Sequence, residues 1–329
     1  MEPLYEIYHP QLPPLLAELT DTPVLQRLAE VGMNCGCEYT AFPRFAGGAA
    51  YSRLEHSLGV GLIVWHFTED AAQAAAGLLH DAATPTFAHV VDFLRGDYLR
   101  QEATEDGTRA CIESCPALQA ALKHRGLSTD DVSDYHRYPV ADNDSPRLSA
   151  DRLEYTLGNA LRWGLLRRAE IAAVYGDLRV APAEDGATEL VFRSPGPALR
   201  FAEAALACSA VYISDEDRCA MQRLSELLRR ALQAGVLTWQ DLEGTEPALI
   251  EKLCRSPLAP DWQAFRSLRR TLRSDAPPDG RPWRQIPAKK RYIDPLVLGQ
   301  GRVSALAPAF AAELAQFLAQ PQTEWLLCE

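Results

Sequence analysis

The chain has 329 residues, 47% hydrophobic and 23% charged, a globular composition that excludes a disordered, collagen-like or fibrous protein. Its 33 basic and 44 acidic residues leave a formal charge of −11. That balance argues against a nucleic-acid coat or an anionic-membrane binder, while leaving room for a small anion in a locally basic pocket.

No apolar run approaches the roughly 18 residues of a transmembrane helix. The opening MEPLYEIYHP has no apolar core, so it does not read as a signal peptide. The eight cysteines read as reduced thiols, and the expected location is cytoplasmic. No CxxC partners another, which argues against a structural zinc site.

Residues 12–31 read as two short helices split between Thr20 and Pro23. A Gly-, Pro- and aromatic-rich loop follows from Gly32 to Tyr51. The stretch 52–67 is nearly continuous in apolar residues and predicts a buried helix, and 69–81 predicts an Ala-rich amphipathic one. Thr84-Pro85 offers an N-cap and first-turn proline for a helix to Arg95, with Gly96 as its stop. Further helices are expected over 104–123, 149–162, 197–235, 239–255 and 307–319. Between them, 126–147 is a polar excursion and 274–287 a loop. Only 178–193, with Asp185-Gly186 between alternating apolar runs, predicts a hairpin. The expected organisation is a helical core over 1–240, with the hairpin, and a helical extension over 241–329 packed on it.

Three fragments place ionisable groups inside apolar helices. They are Arg53-Leu-Glu-His56-Ser-Leu-Gly-Val60, then Gly77-Leu-Leu-His80-Asp81 followed by Thr84, His89 and Asp92, then Ser149-Ala-Asp151-Arg152-Leu-Glu-Tyr155. Burying such groups costs several kcal/mol unless each is paired or bound to a metal. One divalent metal would satisfy two imidazoles and two carboxylates together. That mixed N/O set suits Mn, Fe, Co, Ni or Zn and leaves positions for water and a phosphate oxygen.

The ordered pattern His…His-Asp…Asp resembles the HD superfamily of metal-dependent phosphohydrolases. The fuller fragments, with Asp21-Thr-Pro-Val-Leu-Gln26-Arg27 and Phe42-Pro43 upstream, look like its deoxynucleoside-triphosphate triphosphohydrolase branch. The resemblance covers roughly residues 18–160. It implies an all-α HD-domain bundle, here with a small hairpin, and metal-dependent hydrolysis of a nucleotide or other phosphate ester or anhydride. It implies one divalent transition metal per subunit on His56, His80, Asp81 and Asp151. Arg53, Arg152 and Tyr155, with Thr84, fall where that branch binds phosphate and sugar. Asp92 and His89, with Glu105, are the candidates for orienting water or moving a proton, and Arg53 would also neutralise developing charge. The branch is one that oligomerises, and a homo-oligomer is a further expectation.

The chain departs from this branch at two points. Thr84 and Thr104 stand where the branch has histidines that move protons, and threonine has no pKa near 7. A catalytically weak nucleotide sensor is therefore an alternative reading. A dinuclear oxygenase would need extra histidine ligands that these positions lack. A purely structural helical protein would leave four buried ionisable groups unexplained. Between Arg266 and Arg291, nine basic residues face two acidic ones, Asp275 and Asp279. That run reads as a solvated face, a phosphate contact or a subunit contact.

Overall fold

Ser52 begins the central helix by a capping box: its hydroxyl accepts from the Glu55 N–H, and the Glu55 carboxylate accepts from the Ser52 N–H. This helix, α1 (Arg53–Thr68), buries every residue from His56 to Val64. Asp70 caps α2 (Ala71–Leu79), whose small side chains let it pack closely against α1. The computed structural model describes residues 3–46, 51–96, 107–277 and 279–329. In chain order the other main helices are α3 (Val90–Arg95), α4 (Ala150–Arg162), α5 (Pro195–Tyr212), α6 (Asp215–Gln233) and α7 (Pro308–Ala319).

The fold is mostly helical, but calling it all-α with one hairpin needs correcting, because two small sheets occur. The strands are β1 (Leu178–Pro182), β2 (Thr188–Phe192), β3 (Thr271–Ser274), β4 (Arg284–Gln285), β5 (Leu296–Val297), β6 (Gly301–Arg302) and β7 (Trp325–Cys328). The expected hairpin is there, with Leu178 opposite Phe192 and Pro182 opposite Thr188. β5 joins β2 in parallel through Phe192 and Val297, and β6 returns antiparallel. In the second sheet, β7 lies between β3 and β4. These two- to four-residue strands carry too little alternation to be read from sequence.

Several helix expectations also change, the one over 239–255 dividing into Trp239–Leu242 and Glu246–Cys254. The helix expected from Pro85 begins at Val90, because Phe87 and Ala88 take left-handed φ values of 59° and 45°. The run 197–235 divides at Ser214, whose hydroxyl caps α6 by accepting from the Asp217 N–H. Within 104–123, the described part divides before Pro116.

One apolar core gathers α1, α2, α4 and α5, with Leu16, Ile63, Leu79, Leu157 and Phe201 fully covered. A second joins α3 and α6 to residues 237–268 through Phe87, Leu224 and Trp262. The reading of eight reduced thiols is corrected: Cys219 and Cys328 form a disulfide that ties β7 to α6. Their 109-residue separation hides the pairing from any local motif. Among the described residues, no helix is long and apolar enough to cross a membrane.

Candidate metal centre

Three helix ends bring the expected donors together. The capping box sets Arg53 at the first position of α1 and His56 one turn in. α2 ends as His80 and Asp81 emerge from it. Ser149 caps α4 by accepting from the Arg152 N–H, so Asp151, Arg152 and Tyr155 fall in its first turns.

The nitrogens His56 Nε2 and His80 Nε2 are 3.2 Å apart. Asp151 Oδ1 is 3.1 Å from the first and 3.8 Å from the second. All three atoms lie within 4.8 Å of one another. Both outer ring nitrogens are committed. His80 Nδ1 donates to the Gly77 carbonyl at 2.7 Å, and His56 Nδ1 faces Glu154 Oε2 at 2.6 Å. With Nδ1–H on each ring, both Nε2 atoms present lone pairs toward a carboxylate oxygen. Three acceptors then converge with no donor among them, an arrangement that needs a positive charge at its centre. In the protein alone a proton serves. Burial opposes charge on His56, but Asp151 and Glu154 outweigh it and lift its pKa to about 10. The same histidines hold Asp151 down at about 2 against its burial. This donor chemistry fits a divalent cation, with Glu154 fixing the tautomer of His56.

Asp81 lies at the edge of this cluster, its Oδ2 3.6 Å from His80 Nε2. That oxygen also takes a 2.6 Å ion pair from Arg53 Nη1, and Thr84 Oγ1 donates to Oδ1 at 2.6 Å. Burial raises the Asp81 pKa, but Arg53 and the two histidines override it and hold the carboxyl far below the usual range.

Two glycines make room for the supporting groups. A Cβ at Gly59 would stand 2.6 Å from the Glu154 side chain, and one at Gly158 would stand 2.4 Å from the Tyr51 hydroxyl. Tyr51 and Tyr8 both donate to Glu154.

A cavity of about 700 Å³ opens from the donors and includes Arg53, His89, Arg152 and Tyr155 in its walls. Arg152 donates to Asn143 Oδ1 at 2.8 Å and pairs with Asp142 Oδ1 at 3.3 Å. His89 Nδ1 is 2.9 Å from Asp92 Oδ2. Burial lowers the His89 pKa, the Asp92 hydrogen bond opposes this, and Arg291 and Arg53 reinforce it. Asp92 is fully buried behind His89, and its Oδ1 has no partner. Thr84 is buried as well and reaches the site only through Asp81. Glu105 and Thr104 lie outside the described residues.

Several wall residues were not picked out from sequence. His136, in the polar excursion 126–147, lines the cavity with its Nδ1 2.8 Å from Asp142 Oδ2, because that excursion folds back over α2. Asn159, Trp163 and Tyr212 form an aromatic end, where Asn159 Nδ2 donates to the Tyr212 hydroxyl and Asn159 Oδ1 is buried without a donor. Asp151, Tyr155 and Asn159 recur every four residues on one face of α4, a signal that was legible. Glu154, three residues after Asp151, was legible in the same way.

The chain is similar to known proteins over part or nearly all of its length. Over 330 aligned positions the chain is 26% identical to the metal-dependent phosphohydrolase cns2 of Cordyceps militaris, covering 95% of this chain and 91% of that protein. It is 32% identical over 140 residues to the deoxynucleoside triphosphate triphosphohydrolase SAMHD1 of Bos taurus, a match spanning 36% of this chain and 23% of that protein. Its fold matches a crystal structure of a phosphohydrolase from Bacteroides thetaiotaomicron with a TM-score of 0.67 at 17% identity, covering 97% and 96% of the two chains. No family model matches the sequence. These likenesses, with a His-His-Asp donor cluster at the head of a polar cavity, support a hydrolase of phosphate ester or anhydride bonds. In sequence and in fold the chain resembles the HD-domain metal-dependent phosphohydrolases.

Proposed function

We propose that the substrate is a nucleotide, and that one divalent transition metal per subunit is held by His56, His80, Asp81 and Asp151. The observation that carries the metal assignment is the meeting of three acceptor atoms with no donor between them. Mn, Fe, Co, Ni and Zn all suit the set. A divalent cation there supplies Lewis acidity, polarising a phosphoryl oxygen and lowering the pKa of a water.

The chain's own residues do the rest. Arg53 and Arg152 neutralise charge developing on the phosphoryl group, each held in place by a carboxylate behind it. Thr84 fixes the second oxygen of Asp81 and so supports the site indirectly. Tyr155 grips the sugar, and its burial keeps the phenol protonated, with a pKa pushed up to about 12. His89, kept neutral by burial and oriented by Asp92, takes a proton from the attacking water. Glu105 is a further candidate for that relay. The two threonines that depart from the related branch thus leave a His–Asp pair in the wall to move protons. Support for the nucleotide comes from the aromatic end of the cavity and from the SAMHD1 likeness.

The test is metal analysis of protein purified without chelators, followed by a phosphate-release screen over nucleotides with each metal. One metal per chain and turnover of a nucleotide are expected. Asp81→Ala should lose both; a metal-loaded, active Asp81→Ala protein would sink the assignment.

A further inference from the structure

We propose that Arg291 binds a phosphate group of the substrate remote from the metal donors, which makes a phosphoanhydride chain, rather than a monoester, the preferred ligand. This rests on the phosphohydrolase reading of the cavity.

The cations of the cavity differ in what they are free to do. Arg53 is tied to Asp81 at 2.6 Å, and Arg152 to Asn143 and Asp142. Lys290 turns away and donates to the Leu318 carbonyl at 2.6 Å and to the Gln320 carbonyl. Arg291 lines the same cavity, half-buried, and among the described residues it has no ion pair or hydrogen bond. Its charge bears on His89, Tyr155, Tyr212 and Asp217, groups from four separate segments around the cavity. Asp217 is no counter-ion for it, because burial pushes that carboxyl up to about 8 and keeps it protonated near neutrality.

The surrounding segment does not need Arg291 for its own anchorage. The Ile286 carbonyl accepts from Arg218 Nη1 at 2.6 Å, and the Ala288 N–H donates to Gln322 Oε1 at 2.6 Å. The Tyr292 carbonyl accepts from Ser145 Oγ at 3.1 Å, and the Asp294 N–H donates to the Pro146 carbonyl at 3.0 Å. Those ties on alternate residues fix the backbone on either side of Arg291 and leave its guanidinium over the cavity. A planar five-donor fork in a half-buried wall is matched by a phosphate, which can accept two of its N–H groups at once. The basic run noted in the sequence thus has one member placed for substrate.

The experiment is calorimetric titration of the metal-loaded full chain with inorganic tripolyphosphate and with orthophosphate. Arg291→Gln should weaken tripolyphosphate binding by about tenfold or more, with little change for orthophosphate. Arg291→Lys should recover part of the loss. Arg269→Gln, which removes the same charge at an exposed position, should change neither affinity. Equal weakening by Arg291→Gln and Arg269→Gln, or equal weakening for the two anions, overturns the inference. Should Arg291→Gln misfold, undiminished tripolyphosphate binding by a folded Arg291→Met protein overturns it as well. If the expected anion pattern appears but no nucleotide is hydrolysed, the nucleotide reading fails and this one stands. Nucleotide turnover with tripolyphosphate affinity unchanged in Arg291→Gln is the reverse case.

Discussion

At the scale of single residues, the most consequential group is one that touches no substrate. Glu154 accepts from Tyr51 and Tyr8 and holds His56 Nδ1 at 2.6 Å, so it decides which ring nitrogen of His56 faces the donors. Glu154→Ala should weaken metal affinity by about 10- to 100-fold, read by competition with a chromophoric chelator. Glu154→Gln keeps an acceptor oxygen and should lose less. Equal affinities for all three proteins would remove Glu154 from this role. His89 carries a pH signature. If a neutral His89 takes the proton, as proposed above, activity should be lost as pH falls through its pKa, which burial sets below the ordinary value of about 6.5. The Asp92 hydrogen bond opposes that lowering. Asp92→Asn should therefore move the acid limb of kcat/KM to still lower pH while reducing the plateau. A limb that stays in place would separate His89 from the chemistry.

At the scale of elements, the site depends on how closely α1 and α4 approach. Gly59 is the contact point, since any Cβ there meets the Glu154 side chain at 2.6 Å. Gly59→Ala should therefore lower both the melting midpoint and the metal affinity, although alanine is the better helix former by about 1 kcal/mol. A stabilised Gly59→Ala protein would show that Glu154 can move aside freely. Ser52→Ala removes a helix cap and should cost about 1 kcal/mol, measured by urea denaturation. The helices that frame the donors were legible because each joins a cap to a long apolar run: Ser52 with 56–64, and Ser149 with the face of α4. The helix after Asp81 starts later than its cap signal predicts. Thr84-Pro85 is a sound cap signal, but Phe87 and Ala88 turn left-handed and delay α3 to Val90. Nothing local in their side chains announces that conformation. It leaves His89 just ahead of α3, where its Nδ1 meets Asp92 Oδ2 at 2.9 Å.

At the scale of the whole molecule, what escaped the sequence is what depends on distant partners. His136 and Tyr212 reach the cavity only because the 126–147 excursion and α5 pack where they do, and Trp163, at the end of α4, meets the Tyr212 ring there. The same holds for β3, β4 and β7, and for the disulfide from Cys219 to Cys328. That bond closes a loop of about 109 residues and restrains the unfolded chain, an effect on the order of 4–5 kcal/mol in the chain-entropy account. Reduction, or the double change Cys219→Ser with Cys328→Ser, should lower the denaturation midpoint markedly. An unchanged midpoint would mean that β7 holds to α6 by its side-chain packing alone.

The donors come from positions 56, 80 and 151, and the carboxylate that steadies them is reached from Tyr51 across 103 residues. No fragment short of these can assemble the centre, so competence to bind a cation reports completion of the fold. During refolding, helical signal from α1 and α2 should return early, since their contacts are local, and cation uptake should follow as a distinct later phase. The lag between the two would time the arrival of α4, the one step on which every other use of the cavity waits.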